Sequence, residues 1–261
     1  MIINKVHDFG FVHIPKCAGS TVRQQLRDRD DLNERFYHTI QVPDFTKING
    51  NHTQLSVLKQ YFPDDFDALR AVTSYAITRD PLERFVSSVA QYLRSTGVDP
   101  GSMRPAEILQ NTRDIITALR APAQDHVIRH TIFFPQVDYV YLEGEKIVDH
   151  VYTIEHMDAF FDRLETQHDL HLIRDKKWNP TVTYRMPAMS GRVQSAKKLA
   201  QKYLPMKAYV SLREVGLRML TTPGAPKLEQ TLHNDAGVRA FVAEHYAADW
   251  QLYRDTKAVL S

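Results

Sequence analysis

Apolar positions along the chain predict strands that alternate with helices. Residues 9–14 form an apolar run that is typical of a strand buried on both faces of a parallel sheet. A second run, AVTSYAIT at 71–78, leads directly into a segment whose apolar residues have helical spacing, namely Leu82, Phe85, Val86, Val89 and Leu93. Strands followed by helices in this way indicate an α/β fold with a mainly parallel sheet.

The start of that helix has a local signature as well. Asp80 can cap the first turn, and Pro81 suits the first helical position. Glu83, three residues after the cap, completes the sequence of a capping box. We therefore predict a helix that begins at about residue 81.

The rest of the chain adds elements without an obvious linker between domains. Predicted helices cover about 106–133, 156–167 and 236–257, and two short strands joined by EGEK lie within 137–154. We therefore predict a single domain over residues 1–261.

Composition limits the classes of function. The 261 residues include 33 Lys and Arg against 31 Asp and Glu, so bulk charge does not favour nucleic-acid binding, and any anion site must be local. The single cysteine excludes an intrachain disulfide and suits a reducing compartment. No stretch of eighteen apolar residues and no signal-peptide pattern is found, so we expect a cytoplasmic protein without a membrane span.

The stretch FVHIPKCAGSTVRQQL at 11–26 has the order strand, tight loop, helix. Backbone N–H groups and the helix dipole at such a junction bind anions, and Lys16 and nearby hydroxyl residues could add side-chain donors. The lysine precedes the glycine, so this is not a Walker A loop. A plain turn with a solvent-exposed lysine remains the alternative.

Cys17 suggests a different chemistry. Cys17-x5-Arg23 has the spacing of cysteine-dependent phosphatases, in which a thiolate near a helix N-terminus is acidified. However, Lys16 stands before the cysteine where histidine is usual, and Gln24 follows Arg23 where a hydroxyl residue is usual. A small cysteine packed in a turn is the other interpretation.

A second candidate site follows the strand at 71–78. Arg79 comes at its carboxyl end, the edge at which open α/β sheets bind ligands. Ser87 lies eight residues later, and we place it on the polar side of the helix with Arg84 and Gln91. Arg79 and Ser87 could then reach one phosphate group. Alternatively, both arginines pair with the acidic residues between them.

Together the two stretches resemble the carbohydrate-type sulfotransferases. HIPKCAGST at 13–21 is similar to their 5′-phosphosulfate loop, H-I-P-K-T-A-G-T-S, and RDPLERFVSS at 79–88 to their 3′-phosphate motif, R-D-P-x-x-R-x-x-S. The family uses 3′-phosphoadenosine 5′-phosphosulfate (PAPS) as sulfuryl donor. The resemblance implies a P-loop-like three-layer fold, with a central mainly parallel sheet flanked by helices and extra C-terminal helices.

The resemblance also assigns roles to residues. Lys16 would stabilise charge on the leaving phosphate, and His130, in HTIFFPQVDYV at 130–140, would contact the acceptor. A third nucleotide-contacting region could start at Asn179-Pro180-Thr181, and about 185–235 would be an insertion or lid. The donor-binding residues implied are Pro15, Lys16, Cys17, Ala18, Gly19, Ser20, Thr21, Arg79 and Ser87.

His52 is our candidate general base. It lies in NGNHTQL between the two motifs, near the point where some uronyl-type relatives carry a catalytic histidine after a glycine, although Asn51 intervenes here. An imidazole with a pKa near 6.5 is neutral and basic at working pH. The alternatives are His13, His130 and Glu155.

The function implied is transfer of the sulfuryl group of PAPS to a hydroxyl of a saccharide or a small hydroxylated acceptor. Metal is not required where a lysine and backbone dipoles stabilise the leaving group. His126-x3-His130 lacks a third metal ligand. Eukaryotic relatives carry an amino-terminal membrane anchor, and no such apolar segment is found in this sequence, so we expect a bacterial enzyme. A cysteine-dependent phosphatase and a non-catalytic nucleotide-binding module remain alternatives.

Overall fold

The computed structural model describes residues 1–43, 45–121, 128–172, 182–184, 221–223 and 225–260. The strands are β1 (Ile2–Asn4), β2 (Phe9–Val12), β3 (Thr39–Val42), β4 (Phe45–Asn49), β5 (Thr73–Thr78), β6 (Tyr141–Leu142), β7 (Glu145–Lys146), β8 (His150–Thr153), β9 (Val182–Tyr184) and β10 (Thr221–Pro223). The helices are α1 (Gly19–Leu26), α2 (Leu55–Tyr61), α3 (Pro63–Arg70), α4 (Pro81–Ser95), α5 (Pro105–Leu119), α6 (Met157–His168), α7 (Pro226–Asn234), α8 (Ala236–His245) and α9 (Ala247–Leu260).

The central sheet has the strand order β1-β2-β5-β8. β1 runs antiparallel to β2, whereas β2, β5 and β8 are parallel, with Phe11 opposite Tyr75 and Tyr75 opposite His150. The apolar runs at 9–14 and 71–78 are thus strands of a mainly parallel sheet flanked by helices, and the predicted fold class is confirmed. The carboxyl ends of β2, β5 and β8 meet at one edge.

Helix α4 begins where the sequence predicts. The Asp80 side chain accepts hydrogen bonds from the N–H groups of Leu82 and Glu83, at 2.9 and 3.1 Å. The predicted capping box is not completed, because the Glu83 carboxylate is drawn away to Arg79 and His233. The cap fixes the direction in which the chain leaves β5.

Among the described residues, two large apolar cores and one small cluster of Val42, Ile48 and Val57 are found. One large core packs the sheet against α1, α2, α3 and α6, and the second lies between α4, α5, α7 and α8. Helix α7 belongs to the second core, since Leu228 and Leu232 are fully buried. Residues 226–234 are therefore a packed helix, while the insertion or lid over about 185–235 stays a prediction. Residues 185–220 and 224 of that region, and Asn179-Pro180-Thr181, lie outside the described residues.

Several predicted bounds differ from the structure. The helix expected over 106–133 ends at Leu119, and the chain forms a 3₁₀ helix at Ile128–Phe133. The helix expected over 236–257 breaks at Tyr246 into α8 and α9. In the part of the chain that the structure describes, no helix is both long enough and apolar enough to cross a membrane.

Candidate active site

The loop between β2 and α1 has an uncommon backbone. Lys16 and Ala18 both have positive φ values, 64° and 58°, although neither is glycine. Such left-handed residues cost free energy and concentrate at ligand-binding sites. The loop brings the amino terminus of α1 to the sheet edge where β2 and β5 end, as the sequence predicts.

His13 lies directly under this loop. A Cβ atom built on Gly19 would lie 1.8 Å from His13 Cδ2, so only glycine fits over the ring. His13 is 5% exposed, and its Nδ1 has no hydrogen-bond partner among the described residues. Burial lowers the pKa of His13 well below the ordinary value of 6.5, so the imidazole is neutral.

Lys16 reaches from the loop to α4. Its Nζ donates a hydrogen bond to Gln91 Oε1 at 2.7 Å. Burial lowers the pKa of Lys16 to about 8, and the positive charges of Arg94 and Arg79 add to the shift. Arg94 Nη1 is itself buried without a hydrogen-bond partner in the described part of the chain. Three cations around one space favour an anionic ligand there.

Arg79 lies near enough to Lys16 to lower its pKa, and Ser87 lies one turn from Gln91, the hydrogen-bond partner of that lysine. Arg79 follows β5, and its half-buried guanidinium pairs with Glu83 (Nη2–Oε2 3.2 Å), which is one of the alternatives left open by the sequence. Ser87 is partly buried one turn before Gln91, so both face the same side of α4. The structure therefore brings together the two motifs that the sequence singled out.

Arg84 does not lie where the sequence predicts. It is fully buried, not on the polar face of α4, and it pairs with Asp249 of α9 (Nη2–Oδ2 3.6 Å) and not with its acidic neighbours. Its guanidinium donates to the carbonyl groups of Ile132 and Phe133, and it stacks over the Tyr246 ring at 4.7 Å. The prediction failed because these partners are distant in sequence.

His52 lies at the end of the 3₁₀ turn Gly50–His52, after β4. Its ring packs edge-on against His13 (centroids 4.5 Å apart), and its Nδ1 is 3.3 Å from the His13 carbonyl oxygen. A carbonyl can only accept, so Nδ1 is the donor and Nε2 carries the free lone pair. Burial lowers the pKa of His52 to about 3. The imidazole is therefore neutral, but in the free protein it is a much weaker base than the imidazole of pKa near 6.5 that the sequence leads us to expect.

Comparison with known proteins supports the resemblance to sulfotransferases. The sequence model of the sulfotransferase family matches residues 1–128. These residues belong to the sulfotransferase family. No curated protein and no solved structure gives a significant match to the chain. The matched region contains both motifs that the sequence singled out and His52, and the family match supports sulfotransfer activity in general.

Cys17 is buried within the loop between β2 and α1. Its thiol is 1% exposed and donates to Gln136 Oε1 at 3.2 Å, and burial raises its pKa to about 12. Arg23 turns elsewhere, since it bonds Asn51 and stacks over Tyr37 at 4.9 Å. A neutral thiol bonded to Gln136 and an arginine bonded to Asn51 do not form the thiolate–arginine pair that a cysteine-dependent phosphatase needs.

Gln136 is a site residue that sequence reasoning did not assign. Its side chain is fully buried beneath the ends of β2 and β5, where it bonds Thr78, Arg79 and Cys17. The only signal was the Pro-Gln pair in the segment at 130–140, which the resemblance noted without giving it a role.

A cavity of about 360 Å³ opens beside the sulfotransferase motifs. Gln91, which accepts the hydrogen bond from Lys16, is one of the residues that line this cavity. His130, the predicted acceptor contact, is 7% exposed and stacks on Tyr92, whereas its neighbours in sequence line the cavity. The lining includes Tyr37, Asn49, Asn51, Gln91, Arg129 and Thr131.

Glu155 and His13 are the remaining alternatives to His52 as the general base. Glu155 is exposed after β8 and accepts a hydrogen bond from Tyr253 (3.2 Å). His13 is buried beneath the loop. Among the described residues, no three His, Cys, Asp or Glu side chains are grouped as metal ligands would be. His126 lies outside those residues.

Proposed function

We propose that this protein transfers the sulfuryl group of PAPS to a hydroxyl group of a saccharide or a small hydroxylated acceptor. The observation that carries the proposal is the bond from Lys16 to Gln91, because it joins the 5′-phosphosulfate loop to the helix of the 3′-phosphate motif. The surrounding cations, Arg79 and Arg94, suit a donor with several negative charges. Its expected cytoplasmic location and bacterial origin stay predictions.

In this mechanism the donor supplies an activated sulfuryl group. The acceptor oxygen forms a bond to sulfur while the bond from sulfur to the bridging phosphate oxygen breaks. The acceptor proton passes to His52 Nε2, and Lys16 and the amino terminus of α1 stabilise charge on the leaving phosphate. Anionic donor bound nearby raises the low pKa of His52, which makes it a stronger base in the complex than in the free protein.

The cavity beside Gln91 supports a hydroxylated acceptor. Asn49, Asn51 and Thr131 line it with groups that both donate and accept hydrogen bonds, as hydroxyl groups require. Tyr37 adds an aromatic face. His52 directly follows the cavity residue Asn51, so an acceptor bound there would lie near the candidate base.

The first test uses purified protein with PAPS and a library of hydroxylated acceptors, and measures formation of 3′-phosphoadenosine 5′-phosphate. Lys16→Ala should lower kcat by about 10²–10³-fold, because the charge acts mainly in the transition state. Cys17→Ser should stay active, since serine can make the same bond to Gln136. A folded but inactive Cys17→Ser would favour the phosphatase, and binding without turnover a non-catalytic module.

The second test concerns the 3′-phosphate. Arg79→Ala should weaken binding of 3′-phosphoadenosine 5′-phosphate by roughly tenfold to a hundredfold, because a charge-assisted hydrogen bond is lost. Adenosine 5′-phosphate, which lacks the 3′-phosphate, should bind wild type more weakly than 3′-phosphoadenosine 5′-phosphate does. In Arg79→Ala the two ligands should bind with about equal affinity. Arg70→Ala is the control, since Arg70 pairs with Glu145 on the surface. Calorimetry that finds no effect of the 3′-phosphate in wild type would refute the assignment.

A further inference from the structure

The Gln136 carboxamide forms hydrogen bonds with both the N–H and the carbonyl group of Arg79. Its Oε1 accepts from the Arg79 N–H at 2.9 Å, and its Nε2 donates to the Arg79 carbonyl at 2.9 Å. The side chain thus pairs with the peptide groups of Arg79 as a neighbouring strand would. The direction in which Arg79 leaves β5 is fixed by this pairing.

The same Oε1 atom also holds the other motif. It accepts from Cys17 Sγ at 3.2 Å and from Thr78 Oγ1 at 2.8 Å. Cys17 belongs to the loop before α1, and Thr78 ends β5. One buried oxygen therefore sets the distance between the loop and the strand end.

Gln136 is itself anchored by residues from the carboxyl-terminal helices. The neighbouring Val137 N–H donates to Asp249 Oδ1 at 3.0 Å, and Asp249 pairs with Arg84. Tyr246 donates its hydroxyl hydrogen to the Phe133 carbonyl at 2.7 Å. These contacts come from a part of the chain beyond the matched residues 1–128.

Glutamine satisfies this set of contacts, whereas the residues most similar to it in shape do not. Glutamate could accept from the three donors but would place an oxygen against the Arg79 carbonyl and bury a charge. A methionine of similar shape would leave the Arg79 N–H and carbonyl and the Thr78 hydroxyl without partners. The requirement for both an acceptor and a donor shows that the side chain is fitted to the Arg79 peptide.

We propose that Gln136 is a positioning residue that sets the spacing between the 5′-phosphosulfate loop and the 3′-phosphate site. This inference rests on the proposed function. Gln136 touches neither donor nor acceptor, and it acts through the main chain of Arg79 and the thiol of Cys17. Its loss displaces the Arg79 guanidinium and so reduces the contribution of the 3′-phosphate to binding.

The test compares two ligands in each variant, 3′-phosphoadenosine 5′-phosphate and adenosine 5′-phosphate. In Gln136→Met the affinity advantage given by the 3′-phosphate should fall by about tenfold, while adenosine 5′-phosphate binds within about threefold of wild type. A merely structural role would weaken both ligands equally. Gln54→Met is the matched control, because Gln54 is a partly buried glutamine that bonds Asp138.

A double-mutant cycle with Arg79→Ala completes the test. If Gln136 acts through Arg79, adding Gln136→Met to Arg79→Ala should cost no further affinity for the 3′-phosphate. If Gln136→Met does not fold, Thr78→Val removes one of the bonds to Oε1 and should give the same effect in smaller measure. An unchanged 3′-phosphate advantage in a folded variant overturns the inference. Absence of that advantage in wild type would refute the proposed function instead.

Discussion

We expect Lys16 to make nucleotide binding depend on pH. Its pKa of about 8 in the free protein means that it loses its charge above that pH. A bound anion favours the charged form, so binding takes up a proton there. Affinity for 3′-phosphoadenosine 5′-phosphate should be level below pH 8 and then fall by up to about tenfold per pH unit.

Calorimetry from pH 6.5 to 9.5 checks this dependence. Lys16→Arg is the comparison, because a guanidinium stays charged over the whole range and its binding curve should stay level. If wild type binds equally at pH 7 and 9.5, Lys16 does not contact the anion in its charged form.

His52 is expected to act on chemistry and not on nucleotide binding. His52→Ala should leave affinity for 3′-phosphoadenosine 5′-phosphate unchanged. Sulfuryl transfer should fall by at least about a hundredfold, because the base that takes the proton from the substrate hydroxyl is lost. The measurement is kcat beside the nucleotide dissociation constant. His130→Ala is the counterpart. If His130→Ala is inactive and His52→Ala keeps near-normal turnover, the base has been wrongly assigned.

At the scale of residues, the local sequence predicts the positions of only some residues of the candidate site. Lys16, Arg79 and Ser87 could be placed because each follows a strand end or lies on a helix face that the apolar pattern defines. Arg84 was wrongly placed, since the local pattern does not show that Asp249 would reach it. Gln136 has no periodic signal, because its partners are a peptide unit, a hydroxyl group and a thiol of distant segments.

At the scale of elements, the buried pair of Arg84 and Asp249 ties α4 to α9. Arg84→Met should lower the free energy of unfolding by about 3–5 kcal/mol, because it leaves Asp249 buried without a counter-charge. Arg84→Met with Asp249→Leu should recover much of that loss. Urea unfolding of wild type, Arg84→Met and the double variant measures both the loss and the recovery of stability. A single variant as stable as wild type would contradict the account.

The elements that sequence predicted well are those with a local start signal. Helix α4 has a cap and a proline at its beginning, and β2 and β5 are short apolar runs. The break between α8 and α9 was missed because Tyr246 is held by long-range contacts, its hydroxyl on Phe133 and its ring on Arg84.

At the scale of the whole molecule, the buried histidines make the fold sensitive to acid. The pKa of His52 falls to about 3 in the folded protein from an ordinary 6.5, and that of His13 falls well below 6.5. Between these values the unfolded chain binds protons that the folded chain does not. Stability should therefore be full above pH 6.5 and decline as pH falls toward 3.

The expected slope is up to about 1.4 kcal/mol per pH unit for each histidine. Chemical unfolding at several pH values measures it. His52→Asn removes one titrating ring, so its slope between pH 6 and 4 should be shallower than that of wild type. Identical slopes would mean that His52 is protonated in the folded protein.

The packing of His13 under Gly19 restricts the order in which this loop can evolve. The backbone at Gly19 lies outside the left-handed region, and the three atoms nearest to a Cβ built there all belong to the His13 imidazole, so that ring is the first obstacle to a side chain. Every mutation of the Gly19 codon that changes the amino acid adds a Cβ and is blocked while histidine remains at 13. A smaller residue at 13 must arise first. In a library that randomises both codons, alanine or serine at 19 should therefore survive only in clones that have lost His13.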